Sequence, residues 1–214
     1  MKFVLNILKA FLINFCFIGI IFANITCPSI SPAIAIDSPE HQVDAIISDV
    51  ICSFRDLNSG SNSTFANTLS LTKKKIIPFV DLEYATELAL GQYWSQLSPR
   101  DKVIFERDVK KSLIKDYIDS LAFINNWENI NVSVNNHFNL SGNIAKVNVL
   151  FSIDNENSTE SATVTLKLIR KDRWRIFDLV YLSISLVDIE RVGYDSKIKS
   201  NGLINLIQIM LERS

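Results

Sequence analysis

The chain holds 214 residues, 48% of them hydrophobic and 21% charged, with a formal net charge of −1. That length suits one domain or two small ones, and the near-neutral charge argues against a nucleic-acid binder, which carries a strongly basic face. Six Gly and five Pro exclude a low-complexity chain, while 13 Phe supply material for a real core.

The hydrophobic residues are unevenly placed, with 25 of them in the first 36 positions. Lys2 and Lys9 precede an apolar run from Ala10 to Ala23, broken only by Asn14 and Gly19, and no acidic residue comes before Asp37. A positive start, a run of roughly 7–15 apolar residues and a small-x-small site describe a secretory signal peptide. Ala33-Ile34-Ala35 supplies that site, so the expected organisation is a signal peptide over residues 1–35 and one exported domain over 36–214. An uncleaved anchor fits less well, because spanning takes about 20 apolar residues. Cys27 lacks the small preceding residue that a lipoprotein site needs. The domain keeps 20 basic against 23 acidic residues, a net charge of −3. Cut after Ala35, it keeps only Cys52, expected as an exposed thiol without chemistry. A cut further upstream would allow a Cys27–Cys52 bridge.

Along the exported part, Ser38 is a cap, Pro39 fits the first helical position, and Val43, Ile46, Ile47, Val50, Ile51, Phe54 and Leu57 form one stripe, predicting a helix to Leu57. A polar loop over 58–64 leads to a weaker helix, Phe65 to Lys75. Pro78 and Asp81 open another, which Gly91 stops. Ser98-Pro99-Arg100-Asp101 starts a long helix running to about Phe123, with Ile114, Tyr117, Ile118 and Leu121 on one side and Phe105 and Val109 on the other. After Trp127 the period changes to 2. Strands are expected around Ile130–Val134, Ala145–Ile153, Ala162–Leu168 and Trp174–Tyr181, joined by turns at 139–143, 154–159 and 171–173. Ser185 caps a closing helix to about Lys199, followed by another from Gly202 to Arg213. The expected fold is α+β, with helices packed on one face of a curled four-stranded antiparallel sheet, enclosing an apolar cavity.

Metal, phosphate-loop, nucleophile-elbow and two-Cys motifs are absent from this sequence. His41 and His137 read as surface histidines. Asp178 is the one acid inside a strong strand, placed by alternation on the face of Trp174, Ile176 and Val180. It reads either as a carboxylate satisfied by backbone donors or an arginine, or as the base of a small isomerase or hydrolase. No second catalytic group stands beside it, so no catalytic residue is assigned and no enzyme is expected.

Two stretches resemble the MlaC family, the toluene-tolerance auxiliary proteins. The first is Ile77-Pro78-Phe79-Val80-Asp81, Leu90-Gly91-Gln92-Tyr93-Trp94, Leu97-Ser98-Pro99, Phe105 and Leu113 to Tyr117. The second is Trp174-Arg175-Ile176-Phe177-Asp178-Leu179-Val180, Ser185-Leu186-Val187, Arg191, Tyr194 and Gly202. Ser183 stands where the family usually has glycine, and Ile189-Glu190 replaces Asn-Tyr before the arginine. The resemblance implies a monomeric periplasmic carrier with phospholipid as cargo and neither cofactor nor metal. It would shuttle lipid between an outer-membrane lipoprotein–porin complex and an inner-membrane MCE-domain ABC transporter, maintaining outer-membrane lipid asymmetry. A relative carrying another lipid, such as a hopanoid precursor, is the alternative. Exposed methylenes cost about 0.8 kcal/mol each in water, so a carrier must shield acyl chains. The implied lining residues are Val147, Val149, Phe151, Leu166, Leu168 and Ile176 from the sheet, with Tyr117 and Leu121 from the long helix; each is equally a core residue. Arg191 and Tyr194 are expected near the mouth, where Arg191 either meets a phosphate or, the favoured reading, pairs with Asp178.

Overall fold

The computed structural model describes residues 38–59, 64–122, 127–135, 139–155 and 158–212. The signal segment, Phe123 and His137 lie outside the described residues. Helix α1 spans Pro39–Ser59, and α2 spans Phe65–Lys75. A 3-10 turn at Ile77–Phe79 leads to α3, Leu82–Leu90, and a second at Gly91–Gln96 leads to α4, Pro99–Ala122.

These boundaries follow from local chemistry. The hydroxyl of Ser38 accepts from the backbone N–H of His41 at 3.3 Å, and that of Thr64 from Asn67 at 3.3 Å, closing the first turns of α1 and α2. Asp81 caps α3 by accepting from Tyr84 N–H at 3.0 Å. Gly91 ends that helix at φ +52°, a left-handed conformation that glycine adopts without strain. Ser98 and Asp101 form the expected reciprocal cap on α4.

The sheet is antiparallel: β1 (Ile130–Val134), β2 (Asn139–Ser141), β3 (Ile144–Asn155), β4 (Ser158–Arg170), β5 (Trp174–Tyr181) and β6 (Ile184–Ser185). The path runs β1-β3-β4-β5-β6, with β2 also on β3. The four long strands are the four expected; β2 and β6 are short additions. The polar stretch read as a turn over 139–143 is narrower than that. Its first three residues pair with β3, and only Gly142-Asn143 turns, with Gly142 at φ +61°. Between β5 and β6, Leu182 and Ser183 both take positive φ, +48° and +65°, as a tight hairpin turn requires. Glycine would sit there unstrained, whereas each of these side chains costs about 1 kcal/mol.

Helix α5 (Leu186–Asn201) and α6 (Leu203–Glu212) close the chain. The layers are finer than one helical face. Val43 and Ile46 of α1 lie on one sheet face with Val147, Val149, Leu166, Leu168 and Ile176. The alternating residues Ile144, Ile169 and Phe177 instead join a helical cluster built from α3 to α6 around Phe105, Val109 and Tyr194. The far end of α1 holds a third cluster, where Phe54 stacks on Trp127 with ring centroids 4.5 Å apart. Arg55 fixes that end to the sheet by donating to the carbonyls of Trp127 at 3.1 Å and Ile130 at 2.5 Å. No described helix is long and apolar enough to cross a membrane.

Cys52, expected as an exposed lone thiol, is half-buried and disulfide-bonded. Helical spacing alone missed this, since a cross-link depends on chain segments distant in sequence.

Candidate functional site

Six of the candidate lining residues come together. Val147, Val149 and Leu168 are fully buried, Leu166 and Ile176 nearly so, and Phe151 is half-buried, all on the sheet face that α1 covers. Strand alternation produces this directly, because Val147 pairs with Leu166 and Val149 with Val164 across the β3–β4 ladder. The side chains of Tyr117 and Leu121 lie outside the described residues. A crevice of about 280 Å3 opens between α1 and edge strand β1, bordered by Asp44, Ile47, Ile51, Arg55, Ile130 and Val132. The sheet face therefore has an apolar floor and a helical cover, and the crevice lies beside that cover at the sheet edge.

Asp178 is not on the face of Ile176. Lys167 pairs with Asp178 but Leu168 pairs with Ile176, so Phe177 is an extra residue in a β-bulge. A bulge shifts the alternation by one, and everything after it changes face. Beside this irregularity, Val80 bridges to Ile176 in parallel, and the Asp81 N–H donates to the Ile176 carbonyl at 2.8 Å. Asp178 thus turns toward α5. Its carboxylate accepts from Ser185 Oγ at 2.7 Å and from the Val187 N–H at 3.1 Å, and pairs with Lys167 at 2.8 Å. The partner is Lys167, directly across the strand, and not the expected Arg191. Ser185 also caps α5 by accepting from the Asp188 N–H at 3.1 Å, so this carboxylate anchors a helix start.

Arg191 donates from Nε to the Leu88 carbonyl at 2.9 Å and lies 3.5 Å from Asp188. It joins Leu88, Leu90, Gln92, Tyr93 and Val192 along a groove of about 720 Å3 between α3 and α5, away from the sheet interior. Tyr194 is not at a mouth. It is 1% exposed, meets Phe105 edge-on and donates its hydroxyl to Asp108 at 2.9 Å. Burial, and then the Asp108 carboxylate, hold its phenol well above the ordinary range. Periodicity placed both residues on α5 but not the neighbours of that helix. Of the two departures beside the arginine, Ile189 is exposed and Glu190 accepts a short hydrogen bond from Ser112 of α4.

Near the start of α3, Lys171 bridges Asp81 at 2.9 Å and Glu83 at 3.7 Å. Glu106 stands beside these acids. Burial first, then the charges of Glu83 and Asp81, raise its carboxyl above the ordinary 4.5. The folded chain thus holds a proton that the unfolded chain has lost, and the group's contribution becomes unfavourable as pH rises from 4.5 through the raised value. Glu106→Gln is expected to raise stability at pH 7 by about 0.5 kcal/mol, a figure discounted for its solvent exposure. The gain should vanish below pH 4.5, where both states are protonated. Urea unfolding at the two pH values checks this.

Among the described residues, no three His, Cys, Asp or Glu side chains gather as a metal site. One interior residue escaped the sequence reading. Gln42 is fully buried, and neither its carboxamide oxygen nor its nitrogen has a hydrogen-bond partner among the described residues. The signal was available: Gln42, Ile46 and Asp49 are spaced i, i+4, i+7, which puts a polar residue on the buried arc of α1.

The family model described as MlaC protein matches residues 45–212. No curated protein matches the chain. Among solved structures, the fold is similar to that of the phospholipid-binding protein from Ralstonia solanacearum, determined in complex with a phospholipid. The TM-score is 0.66 at 22% sequence identity, over 81% of this chain and 95% of that one.

Proposed function

The chain belongs to the MlaC family, and from that premise we propose that it is a periplasmic phospholipid carrier. In this reading it takes lipid between the outer membrane and an MCE-type ABC transporter of the inner membrane, in support of outer-membrane lipid asymmetry. The observation that carries it is the sheet face on which Val147, Val149, Phe151, Leu166, Leu168 and Ile176 gather beneath α1. Acyl chains would enter between α1 and this face, from the crevice beside β1. Covering two chains of about 15 methylenes each would offset a hydration cost of roughly 24 kcal/mol, far more than surface contacts supply. The neighbour from Ralstonia solanacearum, which shares the fold, was determined with phospholipid bound.

Export also accounts for Cys52. A disulfide suits an oxidising compartment. The other cysteines are Cys16 and Cys27. A bond at Cys52 requires one of them to stay, so we place the export cut before Cys27 rather than after Ala35.

Catalysis by Asp178 gains no support from the geometry, since three donors occupy its carboxylate and the bulge turns it from the interior. The test is to express the full chain in a bacterial periplasm, purify the protein, extract its lipid and identify it by mass spectrometry. Stoichiometric glycerophospholipid is expected. A hopanoid or other isoprenoid would select the alternative cargo, and lipid-free protein would overturn the carrier reading.

A further inference from the structure

Seven polar or charged side chains are buried among the described residues, and six of them are satisfied. Asp49 takes Lys75 at 2.7 Å. Thr72 and Thr86 donate back to the carbonyls of Thr68 at 2.9 Å and Leu82 at 2.6 Å. Asp81, Asp178 and Ser185 hold the contacts given above. Gln42 is the exception, with 0% exposure and both polar atoms unpaired.

An unpaired buried amide costs about 1–3 kcal/mol. Leucine or methionine would fill the position with equal helix propensity and no such cost. The backbone of Gln42 is already committed, its N–H donating to the Ser38 carbonyl at 3.0 Å, so the side chain has no capping duty. It adjoins Val43 and lies one turn before Ile46, the two buried α1 residues of the sheet-facing cluster, which Ile47 and Val50 flank. A residue that breaks a local rule without a structural return marks a functional position.

We propose that Gln42 is the polar anchor of the lipid site, donating its carboxamide N–H to an ester carbonyl of the bound glycerophospholipid. This rests on the phospholipid reading above and adds where the glycerol backbone lies. A carboxamide is neutral and offers two donors and one acceptor. Acyl chains present nothing for it, and a bare phosphate calls for a cation. Glu40, whose Oε2 is also unpaired, lies two residues away on another face of α1 and adds negative charge near the helix start. A neutral ester carbonyl is the group that fits. The glycerol end of the lipid then sits at the N-terminal end of α1, with the chains running under Val43 and Ile46 toward Phe151.

The test pairs a residue with a lipid atom. Delipidated wild type and Gln42→Leu are loaded with a diester phosphatidylethanolamine and with its diether analogue, which keeps phosphate and chains but lacks the carbonyls. Wild type should prefer the diester about five-fold, the value of one neutral hydrogen bond, and Gln42→Leu should show no preference. Lipid-free Gln42→Leu should unfold at the same or a higher temperature than lipid-free wild type. Equal preference in both proteins overturns the anchor while leaving the carrier intact. A variant that fails to fold also overturns it, because the amide then has a structural partner. Wild type that binds neither lipid overturns the phospholipid reading itself, and the anchor with it.

Discussion

Asp178→Asn is expected to lower the stability of the protein by about 3 kcal/mol in urea unfolding, with the fold retained. The Asp178 side chain is 1% exposed and Lys167 is 26% exposed, so neutralising the acid strands a partly buried ammonium. Breaking one side of a buried pair typically costs about 3–5 kcal/mol, and the partial exposure of Lys167 sets the lower end. The amide of asparagine also presents a donor to Ser185 Oγ or the Val187 N–H, both of which need an acceptor. Because Ser185 caps α5, the loss should spread to that helix start, visible as faster amide exchange at Val187 and Asp188. Lys167→Met alone should cost a comparable amount, about 3 kcal/mol, since it leaves a 1% exposed carboxylate with only two neutral donors. The double variant should be more stable than the sum of the two single losses implies, by about 1–2 kcal/mol, as expected for groups in contact. An Asp178→Asn protein as stable as wild type would show that the carboxylate is not structural and would reopen a catalytic role.

How far the sequence could be read depended on the range of the interactions concerned. Ser38-Pro39, Ser98-Pro99 and Ser185 act on residues three positions away, so caps and helix starts were legible. The inner face of β3 and β4 was legible too, because Val147, Val149, Leu166 and Leu168 keep the period of two up to the bulge. Beyond it that inference fails. The extra residue at Phe177 lies beside a backbone contact from Val80 and Asp81, almost a hundred positions earlier, and the residues of β5 carry no mark of it. Asp178 therefore changed faces and found Lys167 rather than Arg191. Tyr194 likewise pointed into the helical cluster, where its ring partner Phe105 and its hydrogen-bond acceptor Asp108 both belong to α4. Gln42 was missed for another reason: its periodicity was plain, but a polar residue on an apolar arc is informative only once its partners are known.

Ala145→Phe is expected to abolish lipid loading, reducing the recovered phospholipid at least ten-fold, while the protein still folds. Ala145 is fully buried on the sheet face beneath α1, directly across the ladder from Leu168 and two residues before Val147 on β3. If acyl chains lie between α1 and this face, a ring there occupies their volume and removes the room that loading requires. Overpacking costs about 1–3 kcal/mol wherever it is done, so lost stability alone does not identify the site. Ala89→Phe supplies the comparison. Ala89 is 2% exposed but belongs to α3 and the helical cluster around Phe105, away from the sheet face beneath α1. Its enlargement should destabilise by a similar amount and leave the lipid content unchanged. Mass spectrometry of extracted lipid, paired with urea unfolding of each variant, separates the two effects. Equal loading of the two variants would place the acyl chains elsewhere. Loss in Ala145→Phe alone would place them on the sheet face, because the two substitutions add the same volume to different layers.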